Sequence, residues 1–299
     1  MSENWNEGLR RVLGQHSDYI AVLADRRLLT ANILNAVHHL ESINRPFLCF
    51  DHQDVWINAS TITNRKATNE IFLIDRGQLL SAIGSARINW HFPMLFNCLI
   101  RSEFMQDLLE RYGSCAEGSS PDMNFLARIA DIGIDCYCVL DAPCIVTNAR
   151  HAASSNGSSA LRTGTIHDIE HTRLSGIEAY PDYMANFVTA NITGSLARYW
   201  NDHQMRQILD PTNFFVSSLL EFSYPKSEEA FCAMKISLKQ FANSFSLDNS
   251  LVAAIDEVKH TPAANQVYPI DSTVDLVNSP NLNLLCQIEN RQFAMINGH

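Results

Sequence analysis

The first half of the chain alternates between two hydrophobic patterns. Short apolar runs of strand length are separated by stretches in which apolar residues recur at helical spacing. The runs are 19–23, 47–50, 70–75 and 134–146. Because the run at 19–23 is apolar without interruption, it predicts a strand buried on both faces. Such strand–helix–strand order favours a parallel or mixed sheet with helices on its faces, and therefore an α/β fold.

Helices are predicted between and after these runs. In the first half they cover Trp5 to Val12, 30–43, 103–112 with Gly113 as the stop, and Pro121 to Ala130. After about residue 170 the pattern is mainly helical. An apolar stripe there predicts a packing face at Phe231, Met234, Leu238, Phe241 and Phe245. We therefore predict two regions, an α/β domain at 1–168 and a helical region at 169–299.

Composition and charge narrow the functional classes. The 299 residues are 46% hydrophobic and 18% charged, which is typical of a globular protein. A net charge of −10 without a cluster of Lys or Arg argues against nucleic acid as a partner. No apolar stretch approaches the roughly 20 residues that span a bilayer, and the N-terminus lacks the apolar segment of a signal peptide. The prediction is a cytoplasmic protein with no transmembrane segment.

The eight cysteines are scattered and contain no CxxC pair. A zinc or dithiol redox motif of that type is therefore absent from the sequence. Most of these cysteines lie inside apolar runs, which predicts buried, reduced thiols.

The first strand run is followed by Asp25, Arg26 and Arg27. Open α/β sheets bind ligands at the carboxyl ends of their strands. An acid at that position can hold a divalent cation, and arginines can bind phosphate directly. The same three residues also fit a solvated turn with a local ion pair.

The order of motifs resembles the family 2 glycosyltransferases of GT-A fold. In the segment 2–34 the matching positions are Asn4-Trp5, Gly8-Leu9, Tyr19, Asp25 and Leu28-Leu29. The segment 104–159 is similar to the acceptor half of the family, where a Pro-Asp pair opens a helix, a strand follows and a Ser-Asn-Gly segment closes the site. Together the matches cover about residues 2–160.

The resemblance implies an incomplete GT-A fold, a Rossmann-like mixed sheet with a helical C-terminal extension. It also implies an inverting transferase of hexosyltransferase type that moves a sugar from a nucleotide-sugar donor to a hydroxyl of a glycan or another acceptor. Asp122 matches the acid that removes the acceptor proton. It follows Ser120-Pro121 in a predicted first helical turn, so helix capping alone is the alternative. Ser120 and Asn156 would line the acceptor cleft.

On the donor side, Asp25 matches the family's metal-binding acid, whereas Arg26 and Arg27 stand where acids are expected. Because two added positive charges repel a cation and guanidinium groups bind diphosphate, we predict that dependence on Mg or Mn is weakened or lost. Arg26 or Arg27 would then contact the donor diphosphate. His151 is a second candidate metal ligand, and a hydrogen-bonded loop residue is its alternative.

Members of this family begin with strands that hold the base and ribose of the donor, whereas this chain starts at the helix after them. We therefore expect that a missing N-terminal segment completes the sheet, or that the C-terminal helices or a partner compensate for the absent strands. This departure and the Arg26-Arg27 pair also favour an alternative function. The chain would then be a non-catalytic relative that binds a glycan or a protein.

Overall fold

A computed structural model describes residues 2–23, 27–55, 68–88, 91–114, 121–148, 178–222 and 228–258. Within these residues the chain has an α/β fold with one mixed sheet, as predicted. The strands are β1 Tyr19–Ala21, β2 Arg27–Leu29, β3 Phe47–Val55, β4 Ile71–Asp75, β5 Cys98–Arg101 and β6 Cys136–Asn148. The helices are α1 Ser2–Leu13, α2 Asn32–Ser42, α3 Arg76–Gly84, α4 Ser102–Tyr112, α5 Pro121–Ile132, α6 Val188–Ala197, α7 Asp202–Ile208, α8 Pro211–Phe222, α9 Glu228–Ser244 and α10 Asn249–Glu257.

The sheet order is β1-β5-β3-β6, and both β2 and β4 pair with the remaining side of β6. β1 and β3 are each antiparallel to β5, whereas β3 and β6 are parallel. Consequently β1, β3 and β6 run in the same direction. The strand–helix–strand unit β1-α2-β3 is present, but β5 lies between its two strands.

Pro143 explains how β6 serves two partners on one side. β4 pairs with the segment 136–140 of β6, and β2 pairs with the segment 145–147. Pro143 lies between these segments, where the register with β3 is also interrupted near Asp51. A proline cannot donate to a ladder, which agrees with its position at this interruption. Its carbonyl instead accepts hydrogen bonds from Thr30 Oγ1 at 2.7 Å and Asn32 Nδ2 at 3.1 Å, at the start of α2.

Alternate residues of each strand face opposite sides of the sheet. Phe47 and Cys49 join a large hydrophobic core on one side, which we call the broad face. Leu48 and Phe50 join a smaller core on the other side, the narrow face. The strand at 19–21 is less buried than predicted, since only Ile20 of its residues is buried.

The narrow face is covered, within the described residues, by α2 alone. Ala36 and Leu40 of this helix are fully buried against the strands. Arg101 at the end of β5 secures the end of the helix, because its guanidinium donates to the carbonyls of Leu40 and Arg45, both at 2.8 Å.

The broad face carries the other helices that contribute to the cores. The predicted stripe on α9 is confirmed for Phe231, Met234, Leu238 and Phe241, which are buried. Phe245 lies just after the helix and is partly buried against the same core. Phe241 stacks on Phe214 of α8 with ring centroids 5.0 Å apart. The predicted end of α4 is also confirmed, since Gly113 adopts a left-handed conformation with φ of 74°.

Helices from both halves of the sequence share the broad-face core. The end of α3 lies against the chain that follows α7, where the Asp210 N–H donates to the Gly84 carbonyl at 3.1 Å. The predicted boundary at 168/169 lies outside the described residues and stays a prediction. None of the helices in the described part of the chain has the length and apolar character needed to cross a membrane.

Candidate functional site

The candidate site lies at one edge of the sheet, where β1 ends and β5 begins. Because these strands are antiparallel, with Ala21 opposite Leu99, the carboxyl end of β1 is next to the start of β5. A short 3-10 helix at Leu95–Asn97 leads into β5 and contacts β3 and α5. This is the edge at which open α/β sheets bind ligands.

Asp122 lies at this edge, in the first turn of α5, and is partly exposed. The backbone N–H of Phe96 donates to Asp122 Oδ1 at 3.2 Å. The Phe96 N–H is itself held in place by Asn97, whose side chain accepts from Met94 N at 2.8 Å and donates to the Phe92 carbonyl at 3.1 Å. The structure therefore fixes the orientation of a carboxylate beside the carboxyl end of β1.

A buried pair of thiols lies next to Asp122 on the broad face. Cys49 and Cys98 are opposite each other on β3 and β5, and their sulfur atoms are 3.6 Å apart. Burial raises the pKa of the Cys98 thiol well above its ordinary value, and the Cys49 thiol and the charge of Asp122 raise it further. Burial likewise raises the pKa of the Tyr137 phenol, with smaller contributions from both thiols. The raised pKa values keep the Cys98 thiol and the Tyr137 phenol neutral near pH 7, so Cys98 supplies no nucleophilic thiolate.

The prediction of buried, reduced cysteines is confirmed for four of them, Cys49, Cys98, Cys138 and Cys144. Cys136 is partly exposed, and Cys232 is exposed on α9.

Further along α5, Arg128 anchors the helix that carries Asp122. Arg128 is fully buried, and its Nε donates to Tyr199 Oη at 2.9 Å. Its other nitrogens donate to the carbonyl and the hydroxyl of Ser114. The guanidinium also lies 4.8 Å from the centre of the Tyr112 ring. Ser114 follows α4, and Tyr199 follows α6. Because Arg128 binds both residues, α5 is fixed relative to α4 and to the loop after α6.

A second acid, Asp141 on β6, is buried, and its carboxylate holds a neighbouring segment of the chain in place. Its Oδ2 accepts hydrogen bonds from the Thr68 hydroxyl at 2.7 Å and the Thr68 N–H at 3.1 Å. These bonds hold the chain at Thr68 against β6, just before β4 begins. Asp122 is therefore the better exposed of the two acids.

Of the predicted site residues, Asp122 alone has a side chain within the described part of the molecule. Asp25, Arg26, Ser120, His151 and Asn156 lie outside the described residues. Arg27 is described in its backbone only, as the first residue of β2, where it pairs with Thr147 of β6. The roles that the resemblance gives to these positions therefore stay predictions.

The predicted metal ligands Asp25 and His151 belong to those undescribed positions. Across the described ranges, no group of at least 3 His, Cys, Asp or Glu side chains is placed to hold a metal ion. Dependence on a divalent cation stays a prediction.

The residues that support Asp122 were not found from the sequence. Phe96 acts through its backbone N–H, which leaves no signal in the residue type. Asn97 before the strand at 98–101 is the one available clue, because Asn side chains stabilise turns by bonding to nearby backbone. Arg128 gave no clue either, since its burial depends on Tyr199 and Ser114, which are remote in sequence.

No model of a known protein family matches the chain, and a search of curated proteins gave no match. The resemblance to family 2 glycosyltransferases rests on the order of the sequence motifs.

Proposed function

We propose that this chain is a glycosyltransferase of GT-A type that transfers a hexose from a nucleotide-sugar donor to an acceptor hydroxyl. The observation that carries the proposal is the position of Asp122. Its carboxylate is partly exposed and oriented by the Phe96 N–H, at the edge where β1 ends. The order of the sequence motifs supports the proposed family, and the position of Asp122 agrees with the role that the resemblance gives it.

In the proposed reaction Asp122 is the general base. The hydroxyl oxygen of the acceptor attacks the anomeric carbon of the donor, and its proton passes to the Asp122 carboxylate. The bond between the anomeric carbon and the diphosphate oxygen breaks, and the nucleoside diphosphate leaves with the bonding electrons. Because the Phe96 N–H holds Oδ1, the carboxylate needs little reorientation during this step.

The leaving diphosphate requires positive charge, which we assign to Arg26 and Arg27. In the sequence Arg26 lies between β1, whose carboxyl end adjoins β5 and the 3-10 helix that binds Asp122, and β2, which begins at Arg27 and pairs with β6. Guanidinium groups bind diphosphate oxygens in pairs and keep their charge at all working pH values. A divalent cation bound by Asp25 would supply further charge to the diphosphate.

Isothermal titration with UDP and GDP sugars, followed by a transfer assay with the donor that binds, tests the proposal. Asp122→Asn keeps an acceptor for the Phe96 N–H but is a far weaker base, so we expect unchanged donor binding and a loss of about 10²–10⁴ in kcat. Asp135→Asn is the matched control, because Asp135 is an exposed acid just before β6. Full transfer activity in Asp122→Asn would contradict the assignment.

Two further results of this experiment are decisive. We expect donor binding to survive dialysis against a chelator, since Arg26 and Arg27 provide the contact. An activity that disappears with the chelator and returns with manganese would contradict the arginine assignment but not the transferase. No heat with any donor would contradict the transferase and favour the non-catalytic binding protein.

A further inference from the structure

β4 forms an outer edge of the sheet and pairs, within the described residues, with β6 alone. The Arg76 N–H donates to Asp135 O, and the Asp141 N–H donates to Glu70 O. In an antiparallel ladder every second residue of a strand forms hydrogen bonds with the partner strand. Since Glu70 and Arg76 bind on the β6 side, Phe72 and Ile74 also turn their backbone groups towards β6. Ile71 and Leu73 therefore turn theirs outward. Such an edge is a template for pairing with another strand.

The side chains of β4 also differ between its two faces. Phe72 and Ile74 pack against the broad-face core. Leu73 points to the narrow face and is 59% exposed, which is a large fraction for a leucine in the middle of a strand. Leu73 therefore has both an exposed apolar side chain and backbone groups that face outward from the sheet.

The sequence of β4 is complementary to itself when read in the opposite direction. If a second β4 lies antiparallel with Leu73 opposite Leu73, outward-facing backbone groups meet outward-facing groups, and the two Leu73 residues exchange hydrogen bonds. In the same register Phe72 lies opposite Ile74, and Glu70 lies opposite Arg76. Glu70 directly precedes β4, Arg76 directly follows it as the first residue of α3, and both are exposed.

We propose that the β4 edge binds a second copy of this chain, in an antiparallel two-fold pairing centred on Leu73. The two sheets then form one continuous sheet, and each Glu70 carboxylate faces the Arg76 guanidinium of the other copy. Because β4 has only five residues, the contact is smaller than a standard interface. The dimer is therefore weak and depends on concentration. This proposal does not depend on the proposed function.

Sedimentation equilibrium of the full chain over a wide concentration range tests the pairing. The wild type should pass from the monomer mass of 33.6 kDa to twice that value as its concentration rises. Glu70→Arg or Arg76→Glu alone turns two symmetry-related attractions into repulsions and should weaken dimerisation about tenfold. The double variant Glu70→Arg with Arg76→Glu should recover the wild-type affinity, because each new charge again faces its opposite.

Leu73→Lys should abolish the dimer, since two lysines would meet at the two-fold axis. Ile236→Lys is the matched control, because Ile236 is equally apolar, 67% exposed and located on α9 away from β4. The circular dichroism spectrum and Tm of every variant show that the monomer remains folded. A wild type that stays at 33.6 kDa throughout, or a dimer that none of the β4 variants weakens, would overturn the proposal.

Discussion

The two faces of the sheet use the same strands but are stabilised in different ways. On the broad face, most of the buried apolar side chains come from helices of both halves of the sequence. On the narrow face, one described helix supplies Ala36 and Leu40, with Arg101 holding its end. Many helices therefore stabilise the broad face, whereas a few side chains stabilise the narrow face. The candidate site belongs to the broad face, because α5 carries Asp122 and is anchored there through Arg128.

The largest expected effect comes from Gly84→Ala, which disrupts the broad face. An added methyl group would overlap with the backbone of α7, 2.7 Å from the Ile208 carbonyl carbon. Because backbone must move to make room, we expect the free energy of unfolding to fall by more than about 3 kcal/mol in urea denaturation. Gly8→Ala is the control, since no atom lies within 4 Å of the new methyl. Equal stability of the two variants would show that α3 and α7 are not in close contact.

Leu40→Ala should have a somewhat smaller effect that is confined to the narrow face. Leu40 is fully buried, and its truncation leaves a cavity that costs about 2–3 kcal/mol. Since no other described helix covers this face, we expect amide hydrogens of α2 to exchange faster while those of α5 keep their protection.

Leu34→Ala on the same helix is the control for this change. Leu34 is 63% exposed, so its truncation should alter stability by less than about 0.5 kcal/mol. If α2 and α5 lost protection together in Leu40→Ala, the two faces would unfold as one unit and the comparison would fail.

The smallest expected effect comes from an exposed ion-pair cluster between α9 and α10. Asp256 Oδ1 of α10 lies 2.8 Å from the Nζ atoms of both Lys235 and Lys239 of α9. Hydrogen bonds from these lysines lower the pKa of Asp256 to about 2. Because the folded pKa lies below the unfolded value, the stabilisation is present above about pH 4 and is lost as the pH falls towards 2.

Thermal denaturation of Asp256→Asn checks this pH dependence. The variant should have a slightly lower Tm than the wild type near neutral pH, and the difference should vanish towards pH 2. Glu257→Gln, at the neighbouring exposed acid, is the matched control for the loss of one negative charge. A Tm difference that stays constant down to pH 2 would argue that the aspartate acts by packing and not by its charge.

Much of the fold was predictable because its signals are local. The helical spacing that ends at Gly113 and the stripe from Phe231 to Phe241 both correspond to observed helices. The mixed sheet was also expected. Strand order was not, since the insertion of β5 between β1 and β3 depends on pairings between residues about fifty positions apart, such as Cys49 with Cys98.

The candidate site was less predictable than the fold. The sequence placed Asp122 in the first turn of a helix after a proline, and the structure agrees. It gave no signal for the Phe96 N–H that orients the carboxylate, because a backbone group is common to all residue types. It also gave no signal for the buried environment of Arg128.

The sequence by itself determined the strands β1, β3, β4 and β6, the alternation of their faces, and the acid at the start of α5, because these follow from spacing along a few consecutive residues. It did not indicate β2, β5 or α3. Only the tertiary structure decided that β1 ends beside β5, that Asp122 meets Phe96 at that edge, and that Leu73 lies exposed on an outer strand. These facts depend on which distant segments pack together. That choice minimises the exposed apolar surface of the whole chain and is not encoded in any single segment.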